Sequence, residues 1–222
     1  MANTLTVASY QTRTRVKLNR TSYDSAKLIQ FADEANKEIC NNRRWRFMEA
    51  IFSGTITSNY NTYDLPTDFQ AAINLTLTDP DSNAIFMQYV PYEIFDQQYP
   101  DPTALAAATP SIWSIFGTSM IIGPAKPDQN YTLRMRYIKN PIAITATTDY
   151  PNVPDDFAEV LTLGMYRRAL EASDNFNQAQ VVYQEWADLM DQMDDRLMSR
   201  QYGQPTRMGN GRRKGGSNDP WA

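Results

Sequence analysis

The chain contains no histidine, and that absence excludes more chemistry than any residue present adds. Ser-His-Asp and Cys-His nucleophilic centres, the two-histidine helix of metalloproteases and most zinc or iron sites all depend on imidazole. There is one cysteine, Cys40, so no disulfide can form within the chain, in keeping with assembly in a reducing cytoplasm. With Ala35 and Ile39 as helical neighbours, Cys40 reads as a small buried hydrophobe. No run approaches the ~18 to 20 apolar residues of a membrane span, and no apolar stretch follows Met1, so the expectation is a soluble protein without a secretion signal or a membrane partner. Neither Gly-x-Gly-x-x-Gly nor Gly-x-x-x-x-Gly-Lys-Ser/Thr occurs, and Gly117 and Gly123 read as turn glycines. No catalytic set, metal or cofactor is expected.

What is present is a globular composition. The 222 residues are 42% hydrophobic, enough to pack one large domain or two of about 100 residues each. The net charge of −4 conceals an uneven distribution. Residues 1–46 carry nine Lys/Arg against four Asp/Glu, whereas residues 155–195 carry ten Asp/Glu against Arg167 and Arg168. Beyond them the balance turns basic again, with Arg200, Arg207, Arg212, Arg213 and Lys214 opposed by Asp219. Segments of opposite sign suit charge-steered assembly of like subunits or docking on a partner. The same pattern is also that of a solvated helix face between two loose ends.

Residues 1–20 alternate weakly between apolar and basic side chains and read as an arm, extended or ordered by a neighbour. From residue 22 to about 41 the period is helical, with Leu28, Ala32, Ala35 and Ile39 on one face, Thr21 or Ser22 as cap and Asp24 in the first turn. The period then changes to two, and strands are predicted at 50–57, 62–65, 72–78, 84–89, 111–116, 119–122 and 131–137, separated by Pro, Asp, Asn and Gly turns. A short helix is expected at 91–96, with a long loop to Pro110. Short strands with regular turns point to a β-sandwich or partial barrel. Val153-Pro154-Asp155-Asp156-Phe157 opens a second helical stretch, its two carboxylates suiting a helix start. Phe157, Leu161, Met165, Ala169 and Ala172 share one face; after a break at Asp174-Asn175, so do Ala179, Val182, Trp186, Leu189, Met193 and Leu197. The expected fold is therefore α+β: a helical bundle from the N-terminal helix and a C-terminal hairpin, an inserted antiparallel β-sandwich, and an extended tail. The domain boundaries are 1–47 with 150–200, 48–149, and 201–222.

Four features bear on function. Asp155/Asp156 and Asp194/Asp195 are carboxylate pairs of the kind used in acid–base catalysis, but the first caps a helix and the second sits beside Arg196 on a solvated face. Arg43, Arg44 and Arg46 interleaved with Trp45 and Phe47 resemble a phosphate-and-stacking patch. At a helix-to-strand junction the reading preferred is that Trp45 and Phe47 form core between subdomains, while Arg43 and Arg44 are solvated or bridge to a neighbouring subunit. Leu65-Pro66-Thr67-Asp68-Phe69 is echoed by Val153-Pro154-Asp155-Asp156-Phe157, each a staple where extended chain meets packed structure. Finally, the glycine-rich stretch after Gly203 carries Trp221, which reads either as an aromatic anchor that folds on a partner or as part of a nonspecific end.

The order of these features resembles the head-to-tail adaptor proteins of short-tailed bacteriophages. The residues that carry the likeness are Arg44-Trp45-Arg46-Phe47, Tyr63 to Phe69, Ile121-Ile122-Gly123-Pro124-Ala125-Lys126-Pro127-Asp128, the strand from Tyr131 to Tyr137 followed by Asn140-Pro141, and Val153 to Phe157 opening the hairpin. The resemblance implies a dodecameric ring under the portal, with the tail nozzle and fibres attached below and DNA passing through the channel without sequence-specific binding. It also implies a C-terminal segment reaching between portal subunits, a role carried here onto Arg207, Arg212, Arg213, Lys214 and Trp221. The alternatives are a nucleic-acid-binding protein using the basic ends and a tail-associated carbohydrate-binding sandwich presenting Trp113, Tyr92 or Tyr99.

Overall fold

A computed structural model describes residues 3–197 apart from Thr103. The first element answers the weak alternation of the N-terminal residues with a helix, α1 (Val7–Leu18), and not with an extended arm. Its buried residues Val7, Tyr10, Gln11 and Thr14 follow helical spacing, but two of the four are polar, so hydropathy alone hides the stripe. Gln11 exchanges hydrogen bonds with Ser25, donating to its carbonyl and accepting from its hydroxyl at 3.0 Å each. The unpaired N–H groups at the start of α1 are met from far along the chain. Val7 and Ala8 donate to the Asp149 and Thr147 carbonyls, and Thr4 and Leu5 donate to the Asp155 carboxylate. Asp155 therefore holds the N-terminal segment instead of capping the helix that follows it.

Helix α2 (Ser25–Asn42) is capped by Asp24, whose carboxylate accepts from the Ala26 N–H at 2.9 Å, so the cap lies two residues past the expected Ser22. The chain leaves α2 through Arg43 and Trp45, makes one tight helical turn (Arg46–Met48) and enters the sheet. The strands are β1 (Glu49–Ile56), β2 (Thr62–Asp64), β3 (Phe69–Thr78), β4 (Ala84–Tyr89), β5 (Ile112–Phe116), β6 (Ser119–Gly123) and β7 (Tyr131–Lys139), with helix α3 (Tyr92–Gln98) between β4 and β5. They form one curled seven-stranded sheet in the order β1-β7-β3-β4-β5-β6-β2. It differs from the expected antiparallel sandwich in two ways. The two arms share β4, which pairs with β3 through Ala84 to Met87 and with β5 through Gln88 and Tyr89, and the β4–β5 pair is parallel. A parallel neighbour needs a crossover, and α3 supplies it: Phe95 is buried against Gly123, where a Cβ would sit 2.6 Å from its ring.

The curl brings Leu75, Leu77, Leu133 and Met135 of one arm into one cluster with Trp113, Met120 and Ile122 of the other. A second cluster gathers the helices α1 and α2 with α4 (Ala158–Glu171) and α5 (Phe176–Leu197). Helix α4 is its centre, and the bare Gly164 lets α2 approach: a Cβ there would lie 3.0 Å from that of Ala35. The end of β7 joins this cluster through Ile138, and the stretch between β7 and α4 through Ile144 and Val153. That stretch is fixed on α2 by Asn36, which donates to Asn152 at 3.2 Å and accepts from the Asn152 N–H at 3.0 Å, and by Asp33, which accepts from the Ile144 N–H at 2.9 Å.

The side-chain and backbone donors of Thr4, with that of Leu5, hold the Asp155 carboxyl below its usual range. A carboxyl lowered by folding contributes stability above its unfolded pKa, about 4, and that contribution is lost as pH falls through the folded value. Asp155→Asn is accordingly expected to melt below the parent at neutral pH, with the two melting curves converging under acid conditions. An offset that is the same at every pH would refute the tether.

Candidate assembly surfaces

The junction residues singled out in the sequence come together where α2 meets β1. Trp45 is fully enclosed, donates from its indole N–H to the Ile39 carbonyl at 2.6 Å, and stacks on Phe47 with ring centroids 5.8 Å apart. Arg43 turns the other way, to α5, where it donates to Asp191 at 2.7 Å and also pairs with Asp194. Of the Asp194/Asp195 pair, then, Asp194 is tied to α2's end and only Asp195 lies on an exposed face. Arg44 and Arg46 are exposed and have no ion-pair partner among the described residues. Arg207, Arg212, Arg213, Lys214 and Trp221 lie outside the described residues.

A denser charge network, not anticipated from the sequence, joins α4 to α2. Arg167 donates to Glu38 at 2.7 Å, and Arg168 reaches both Glu34 and Glu38 at 2.8 Å. Arg167 is 7% exposed and lies 5.4 Å from the Tyr183 ring centroid and 5.2 Å from that of Trp186, so α5 covers it with aromatic faces. The only sequence signal was an Arg-Arg pair inside an otherwise apolar helix.

Two open charged faces among the described residues lie apart from these ties. On α5 the outward stripe carries Val181, 68% exposed, followed by Glu185, Asp188 and Asp195, none with a cationic partner among the described residues. On the sheet the outward side of β7 carries Arg134 and Arg136, also without acidic partners among the described residues. Arg136 lies opposite Ile51 of β1, and Arg134 lies opposite Thr76 of β3, itself paired with Phe86 of β4. Phe86 and Ile51 are 69% and 57% exposed. In the sequence these arginines carry no signal, because they occupy the polar positions of an ordinary alternating strand.

The residues proposed for a sugar platform sit otherwise. Trp113 is enclosed in the sheet core, Tyr92 packs on Phe116 at 4.4 Å, and Tyr99 packs on Phe95 at 5.6 Å. Cys40 is buried, and burial pushes its thiol up to about 12, far from the reactive thiolate range. Among the described residues no cluster of His, Cys, Asp or Glu could hold a metal ion, and no helix is long and apolar enough to cross a membrane.

Most of the ion pairs among the described residues join one helix to another, and the open faces carry charge beside exposed apolar side chains, the character of a surface that can dock on a partner. The SU10 adaptor protein family model matches residues 5–212, nearly the whole chain, and the protein belongs to that family of phage head-to-tail adaptors. No curated protein matches the chain.

The two arginine ties differ in burial and so in strength. Replacing Arg167 by Met leaves Glu38 with Arg168 as its remaining partner and removes the guanidinium from the Tyr183 and Trp186 faces, and should cost roughly 2 kcal/mol. Arg43→Met, at a more exposed pair, should cost at most about 1 kcal/mol. Urea unfolding of the two variants measures the difference; equal costs would mean that the α2–α4 network is not the stronger tie.

Proposed function

We propose that the chain is a non-enzymatic ring subunit at the junction of phage head and tail. Copies close into a ring, of twelve by the family resemblance, that docks under the portal, carries the tail nozzle and fibres below, and forms part of the channel through which DNA leaves. Assembly takes place in the host cytoplasm before the ring becomes part of the virion. The observation that carries this reading is the family match over residues 5–212. The open, oppositely charged faces support it, since a head-to-tail contact between identical subunits uses two different surfaces and closes when the rotation permits.

Within this reading, residues 1–47 with 150–200 form the helical domain, a small bundle. Residues 48–149 form the inserted domain, a sandwich-like fold of the curled sheet, and 201–222 form the portal-reaching tail. The two separate apolar clusters support the first division. In the tail, Arg207, Arg212, Arg213 and Lys214 supply charge and Trp221 an apolar anchor. Arg44 and Arg46, exposed beside the Trp45–Phe47 junction, are free to bridge to a neighbouring subunit.

Mass photometry of the full chain with the portal protein of the same genome tests the role. A stoichiometric complex containing about twelve copies of the chain is expected, and no association at any salt concentration would refute it. Deleting residues 203–222 should abolish portal docking while leaving the melting temperature unchanged, because both apolar clusters are built from residues up to Leu197. Undiminished docking by the truncated chain would remove the tail's role.

A further inference from the structure

We propose that the outward sheet face of one copy is the seat for α5 of the next, Arg134 and Arg136 meeting Glu185 and Asp188. This contact rests on the ring reading above and names the two surfaces that close the ring.

Charge is the first argument. Much of the basic N-terminal region is already engaged within the chain: Arg15 on the Tyr23 carbonyl, Lys17 on Glu159, Lys37 on Asp33 and Arg43 on Asp191. Arg134 and Arg136 have no such partner among the described residues, and neither do Glu185 and Asp188. The two sets cannot satisfy each other within one copy by a local pair, because one lies on the central strand of a sheet arm and the other on the far helix of the hairpin. A second copy satisfies both at once.

Spacing is the second. Alternate residues on a strand stand about 7 Å apart, and side chains at i and i+3 on a helix about 5 to 6 Å apart. Arg134 and Arg136 therefore match Glu185 and Asp188 as two side-by-side guanidinium–carboxylate pairs, each able to take the bidentate form in which arginine binds most strongly.

Apolar fit is the third. Phe86 and Ile51 flank the arginines, and Val181 stands one helical turn before Glu185 on the same open stripe. An outward sheet face with two large exposed hydrophobes receives a helix better than a nucleic acid backbone, whose seats are lined by cations and polar donors. The contact joins unlike surfaces and so leaves one of each open on every added copy until the ring closes.

Two charge-reversed full-length chains test the contact, Arg134→Glu/Arg136→Glu and Glu185→Arg/Asp188→Arg. Each alone places like charges together and should lose the ring seen with the parent by mass photometry, with circular dichroism and melting unchanged. Mixed in equal amounts, each offers the other its complement, and an alternating ring should return. If both variants form rings alone, or if two folded variants fail to form one when mixed, the contact is wrong while the adaptor reading stands. If the sheet variant assembles normally but loses retention on duplex DNA, the face serves DNA and the contact is likewise wrong. A parent that forms no ring, alone or on portal, removes both readings.

Discussion

Arg167 and Arg168 reach back to Glu38 and Glu34 across 129 to 134 residues of chain, and the seating of α4, and with it of α1 and α5, depends on that return. The chain leaves α2 to build the whole sheet and must come back to lay α4 against the helix it left. Closing so long a loop has an entropic cost that grows slowly with length but is met only when the final contacts form. Apolar packing supplies most of the opposing free energy, and Gly164 against Ala35 sets how closely the two helices meet. The ion pairs add direction. Two adjacent arginines engaging two acids one turn apart on α2 accept a single rotation and register of α4, and the ring faces of Tyr183 and Trp186 then place α5 over Arg167. Buried ion pairs are weak sources of net stability and better suited to selecting one arrangement among several.

The same non-local logic governs the N-terminus. Helix α1 has no strong apolar stripe of its own and no side-chain cap, its first two donors are met by the Asp149 and Thr147 carbonyls, and Asp155 holds Thr4 and Leu5 just before it. A helix held this way forms only when α4 has arrived, which is why its twelve residues read as an arm when taken alone. The strands, by contrast, were legible. Each carries alternation that its own neighbours sustain, and β7 from Tyr131 to Tyr137 buries every second residue. Their order was not legible, because the parallel placement of β5 beside β4 turns on Phe95 filling the space left open by Gly123. Such a contact has no signature within any window of sequence. Trp45 and Phe47 were visible as a junction through type and position alone, whereas Arg134 and Arg136 were not, since an exposed arginine on a strand looks the same with or without a task.

The sharing out of arginines makes physical sense of that blind spot. Arg43, Arg167 and Arg168, which tie the helices together, are engaged within the chain, on Glu34, Glu38, Asp191 and Asp194. Those on the sheet are left open. An internal arginine is betrayed by an acid at compatible spacing on a neighbouring helix once the fold is known. An arginine meant for another molecule has its complement elsewhere, and what identifies it is the lack of a partner together with exposed apolar neighbours.

For two faces on one body to close a ring, the body must hold them at a constant angle, since each degree of slack between them is freedom lost on assembly. The passage from helices to sheet is built accordingly. Trp45 is locked to Ile39 at the end of α2 only four residues before β1 begins, and Ile138 near the end of β7 is buried in the helical cluster. Adjacent strands β1 and β7 are hydrogen-bonded along their whole shared length, with Glu49 opposite Ile138 at this end. The sheet is therefore anchored to the helices at two neighbouring points on paired strands, where a single linker would swivel. Orientation passes from the α2–α4 contact through Trp45 and Ile138 into β1 and β7, the strands that carry Ile51, Arg134 and Arg136. The helix that presents Glu185 and Asp188 is set by that same contact through Trp186, so one set of interactions fixes both faces.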